Sequence, residues 1–157
     1  MALIFEVEAD CVSEEAAKRF GRHFVGLSFS LPDGRLIRVT ESDTRVFTDS
    51  DGNARCCIVS IAASFTGTQQ VLETDDERRD YILFLYDHLR KAPPFRFAVA
   101  GLECHDFSLC DRVGRLSQIE GLVICDKVFV DAGSPAAFQP FAPGYFWIPF
   151  TKSTRIL

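Results

Sequence analysis

The chain has 157 residues, 47% of them apolar and 25% charged. That composition belongs to a globular protein long enough to bury a sizeable core without disulfides or metal, and it excludes disorder, collagen and coiled coil as whole-chain descriptions. With 17 basic and 22 acidic side chains the net charge is −5, which argues against a nucleic-acid binder, because displacing counterions from phosphates needs basic groups.

The N-terminal run is interrupted by Glu6, Glu8 and Asp10, and no Lys or Arg precedes Lys18. A secretory leader has the opposite character, a positive start and an unbroken apolar stretch. No segment approaches the roughly 20 apolar residues of a membrane span. The expectation is a soluble, cytoplasmic chain whose six cysteines (Cys11, Cys56, Cys57, Cys104, Cys110 and Cys125) are reduced thiols.

In chain order, Leu3, Phe5 and Val7 alternate with Ile4, Glu6 and Glu8, a period of two that predicts a half-buried strand. Ser13 ahead of Glu14 and Glu15 predicts a capped helix with Ala16, Phe20 and Phe24 on one face, limited to a few turns by Gly21 and Gly26. Pro32-Asp33-Gly34 lies between two apolar runs, 27–31 and 36–39, and predicts a hairpin. A second hairpin is predicted from Arg45–Thr48, through the turn 49–53, back along Ala54–Phe65. Both faces of that returning strand are apolar, so it belongs inside its sheet. Cys56 and Cys57 fall there, on opposite faces.

Thr74-Asp75-Asp76-Glu77 is a capping box, and the helix behind it carries Tyr81, Leu85 and Leu89 on one stripe until Pro93 and Pro94 stop it. Phe95–Gly101 alternates as a strand, His105–Leu116 reads as loop or short helix, and Ile119–Cys125 reads as a short buried strand. Gly133–Phe150, with four prolines and six aromatic residues, reads as an ordered loop ending in a strand near Tyr145–Pro149. No repeat or linker interrupts the chain. The sequence thus predicts one α+β domain over residues 1–157: a largely antiparallel sheet against one long helix and one or two short ones.

Chemical motifs are sparse. Asp49-Ser50-Asp51-Gly52-Asn53 is acidic, but it puts Gly at position four and Ser at twelve of a calcium loop that needs Gly at six and Glu at twelve. Glu103, Cys104, His105, Asp106 and Cys110 could supply a zinc site or a thiolate–imidazole pair. Neighbours on an extended segment point apart, so Cys104 and His105 do not pair naturally, and His23 or His88 would have to be brought in. Phosphate-binding glycine loops, GxSxG and HExxH are absent. No cofactor and no metal are expected.

The acids are unevenly spread. Residues 1–80 hold 9 basic and 15 acidic side chains, whereas residues 81–157 hold 8 and 7. If the acidic segments meet on one side, they form a negative face that would steer a basic partner. The candidate partner-binding residues are Asp49, Asp51, Glu73, Asp75, Asp76 and Glu77, with Tyr145 and Trp147 as aromatic anchors.

The segments FRFAVAGLECHDF, GLVICDKVF and GSPAAFQPFAPGYFWIPF, within about the last 60 residues, carry a resemblance. Their cadence resembles the immunity proteins, small acidic bacterial proteins encoded beside polymorphic or contact-delivered toxins. That resemblance implies a cytoplasmic, non-enzymatic protein that neutralises a cognate toxin by tight association. It transfers no site residues, and six cysteines are more than it leads one to expect. Two other readings stand beside it: a small enzyme or ligand-binding domain with a Cys/His/carboxylate pocket near 103–110, and a subunit of a larger assembly with an apolar patch near Tyr145–Phe150.

Overall fold

A computed structural model of the chain describes residues 4–41, 44–61, 72–102 and 116–150. In these segments the order is β1 (Ile4–Val12), α1 (Glu14–Phe24), β2 (Ser28–Ser30), β3 (Leu36–Arg38), β4 (Thr44–Thr48), β5 (Ala54–Ile61), α2 (Asp75–Leu89), β6 (Phe97–Leu102), β7 (Val123–Cys125), α3 (Asp126–Asp131), β8 (Gln139–Ala142) and β9 (Tyr145–Trp147). Seven strands form one antiparallel sheet in the order β4-β5-β1-β6-β7-β9-β8, and β2 and β3 pair separately. This is the expected α+β architecture.

β1 lies inside the sheet, between β5 and β6. Its odd-numbered residues, Phe5, Val7, Ala9 and Cys11, are buried in the main core with Ala17, Phe20 and Phe24 of α1 and Tyr81, Ile82, Leu85 and Leu89 of α2. Burying one such aromatic or aliphatic side chain contributes roughly 1.5–3 kcal/mol. The helices occupy this face because their apolar stripes match it. α1 starts on Ser13, whose Oγ accepts the Ala16 N–H at 3.2 Å. It runs through Gly21 rather than stopping there. A Cβ on Gly21 would sit 2.5 Å from Thr44 Cγ2 and 3.1 Å from Cys56 Sγ, so the glycine lets the helix settle against β4 and β5.

The opposite face is also covered, which corrects the half-buried reading of β1. Glu6, Glu8 and Asp10 point to it and are all buried. The alternation of acids and hydrophobes, ordinarily a water-facing pattern, survives inside with guanidinium groups meeting Glu8 and Asp10. Arg55 Nη1 lies 2.6 Å from Glu8 Oε1, and Arg96 Nη2 lies 2.6 Å from Asp10 Oδ2. The cross-strand registers place Phe47, Arg55, Asp10, Phe97, Ile124, Phe146 and Pro140 in one row across all seven strands. The Arg55 guanidinium also lies over the Phe97 ring at 5.4 Å. Beyond Phe97 the row becomes a second apolar core, in which Phe97, Leu122, Ile124 and Phe138 meet Val128 and Phe129 of α3.

Two further expectations change. The aromatic C-terminal stretch is a hairpin, β8–β9, whose β9 joins β7 and extends the sheet. Only Val123–Cys125 of the run Ile119–Cys125 is strand, and α3 follows it at once. The predicted return strand is described as far as Ile61; its continuation to Phe65, like residues 103–115, lies outside the described residues. Among the described residues no helix is long and apolar enough to cross a membrane.

Candidate interaction face on α2

The N-terminus of α2 is built as its sequence requires. Thr74 Oγ1 accepts the Glu77 N–H at 3.2 Å, and Glu77 Oε2 accepts the Thr74 N–H at 3.1 Å and the Glu73 N–H at 2.6 Å. Arg35, just past the β2–β3 turn, reaches across to Glu77 at 2.5 Å, Glu73 at 3.4 Å and its own neighbour Asp33 at 2.6 Å. The N–H groups of Glu73 and Thr74, with Arg35 adding its charge, hold the Glu77 carboxyl below the usual carboxylate range. Glu73 and Glu77 therefore cap the helix and pin the small hairpin to it. Glu77, with its carboxylate held by the cap and by Arg35, is thereby withdrawn from a partner.

Asp75 and Asp76 are exposed on the first turn, with Asp75 paired to Arg78 at 2.9 Å. From Asp76 the helical period runs along Asp80, Leu83 and Asp87, residues i, i+4, i+7 and i+11, which share one stripe. All four are exposed, and Leu83 keeps 43% of its surface in water. The opposite stripe, Tyr81, Ile82, Leu85, Tyr86 and Leu89, is buried in the core. The helix thus presents three outward carboxylates around one outward leucine, with exposed Arg79 beside them and Asp87 3.8 Å from Arg90. Asp80, Leu83 and Asp87 were missed in the sequence, although counting turns outward from Asp76 finds them.

The other predicted site residues have structural work. Asp49 closes the β4–β5 turn: its Oδ1 accepts the N–H groups of Asp51 and Asn53 at 3.0 and 2.9 Å, and its Oδ2 meets Arg55 at 3.1 Å. Burial opposes the charge on Asp49, but those donors outweigh it and hold the carboxyl low. Asp51 is exposed at the tip of the same turn. This turn lies at the end of β1, since Ala54 pairs with Val12 and Arg55 with Asp10. Tyr81, early in α2, packs instead on Phe5 near the start of β1. The acidic segments therefore lie toward opposite ends of the sheet, not on one face.

Tyr145 and Trp147 close the core. Tyr145 stacks on Phe95 at 4.5 Å between centroids, and its hydroxyl accepts the Phe95 N–H and donates to the Phe95 carbonyl. Trp147 is half-buried against Tyr86 and Phe141. Arg90, which ends α2, lies over the Phe141 ring at 4.1 Å and the Trp147 ring at 5.4 Å, and donates to the Phe141 carbonyl.

Thiol chemistry finds no support at the described core cysteines. Burial, with neighbouring acids adding to it for Cys11 and Cys57, pushes the thiols of Cys11, Cys56 and Cys57 up to about 12, so they stay protonated and unreactive near neutral pH. Cys104, His105 and Cys110 lie outside the described residues. Among the described residues no three His, Cys, Asp or Glu side chains converge as metal ligands would. Comparison with family models, with curated proteins and with solved structures returned no match.

Proposed function

We propose that this chain is an immunity-type binding protein, which neutralises a cognate toxin by direct association through the outward stripe of α2. The observation that carries the reading is the exposed Leu83 set among Asp76, Asp80 and Asp87 on a helix whose other face is locked into the core. Carboxylates on a rigid helix accelerate encounter with a basic surface, and a central apolar side chain holds the complex once water is expelled. A basic cleft such as a nuclease's phosphate-binding groove fits that stripe.

Affinity capture of the tagged chain from its source cells, washed in high salt, identifies the partner. Coexpression then tests the role. The wild-type chain should restore growth to cells producing the captured partner, and Leu83→Asp should fail to do so while remaining folded. A captured partner that is harmless to cells, or protection that Leu83→Asp leaves intact, contradicts the proposal.

A further inference from the structure

The two edges of the seven-stranded sheet are treated differently. At one edge β8 contains Pro140 and an irregular register between Pro140 and Ala142. Both features are devices that keep a sheet edge from pairing with another strand. At the other edge, β4 contains no proline, and its pairing with β5 runs without a break from Thr44↔Ile58 to Thr48↔Ala54. Among the described residues β4 pairs with β5 alone.

The direction of its peptide groups follows from the hairpin. The Asp49 N–H donates to the Asn53 carbonyl at 2.9 Å, so odd-numbered residues turn their peptide groups toward β5. Thr44, Val46 and Thr48 then turn theirs outward. On the sheet face away from α1, Arg45 and Phe47 are both exposed, Phe47 with 43% of its surface in water.

We propose that the chain forms a homodimer in which β4 pairs antiparallel with β4 of a second copy, about a two-fold axis at Val46. The outward peptide groups admit this register, which overlaps the whole strand, and the side chains suit it. Val46 meets Val46 of the second copy, and Thr44 meets Thr48, each as a hydrogen-bonded pair. Arg45 meets Phe47 twice, once on each side of the axis, as non-hydrogen-bonded pairs with Cα atoms about 4.5 Å apart. A guanidinium over a phenyl ring is attractive. Such an isologous contact needs one patch to complement itself, and this five-residue strand does. A foreign strand gains no such match from the sequence of β4. The exposed aromatic residue and an edge that is unguarded among the described residues then have one explanation.

Sedimentation velocity of the full chain, at loading concentrations up to about 1 mM, tests the pairing. The wild-type chain should show a reversible monomer–dimer equilibrium. Phe47→Glu should keep the dimer, because the new carboxylate faces Arg45 of the second copy. Arg45→Glu/Phe47→Glu should weaken it by about tenfold or more, because like charges then face each other twice. Leu36→Glu/Arg38→Glu, the same change of charge on exposed β3, should leave it unaltered. Thermal melts check that each variant is folded. A chain that stays monomeric throughout, as it would if the edge serves a foreign strand, overturns the proposal. So does a dimer that Phe47→Glu abolishes or that the double variant leaves intact.

Discussion

Asp10 and Arg96 meet at three points: Arg96 Nη2 on Oδ2 at 2.6 Å, Nε on Oδ1 at 3.1 Å, and the Arg96 N–H on the Asp10 carbonyl at 2.7 Å. The two partners differ in burial. Asp10 is 1% exposed, whereas the Arg96 side chain is 40% exposed. Removing the arginine strands a buried carboxylate, which costs on the order of 3–5 kcal/mol. Removing the acid leaves a guanidinium that can turn to water. Chemical denaturation should therefore find Arg96→Met clearly more destabilising than Asp10→Asn. Equal losses, or the reverse order, would contradict the clamp.

His88 gives the fold a dependence on pH. Its ring lies 6.3 Å from that of His23 and 4.6 Å from Phe84, and the His23 Nε2–H donates to the His88 carbonyl at 2.9 Å. Burial first, then the charges of His23 and Lys91, lower the pKa of His88, with Asp87 opposing them. The folded state thus favours neutral His88, and the unfolded chain binds its proton more readily. The stability this supplies is present above the ordinary histidine value of about 6.5 and is lost as pH falls from there toward the lower folded value. Melting temperatures should fall between about pH 7.5 and 5.5. His88→Gln should flatten that part of the profile; a variant with an unchanged slope would refute the assignment.

The buried thiols predict a labelling order. With their thiols raised to about 12, Cys11, Cys56 and Cys57 should resist iodoacetamide until the chain unfolds, whereas half-buried Cys125 should react in the native state. Peptide mapping by mass spectrometry reads each site separately. Early modification of Cys57 in the native protein would show that the acidic face of β1 opens to water.

Local chemistry made much of the fold legible. Ser13, Thr74 with Glu77, and Pro32-Asp33-Gly34 act within a few residues, so each predicted its cap or turn correctly. What depended on distant partners was not legible. Glu8 and Asp10 read as part of a wet face because Arg55 and Arg96, their partners, lie 47 and 86 residues away in the two pairs. The β8–β9 hairpin was hidden by its prolines: Pro140 is tolerated because β8 is an edge strand. For the candidate face, acidity pointed to the start of α2 but not to its geometry. Glu77 is consumed by Arg35 and the cap, and the outward stripe continues instead through Asp80, Leu83 and Asp87.

The association rate of the chain with its captured partner tests the central claim most directly. Asp80→Lys/Asp87→Lys reverses two outward charges without touching the Thr74–Glu77 cap or Arg35. Stopped-flow mixing at low salt should find the variant slower by about tenfold, with the two rates converging as salt screens the charges. Equal rates at low salt would contradict an interaction steered by the α2 stripe.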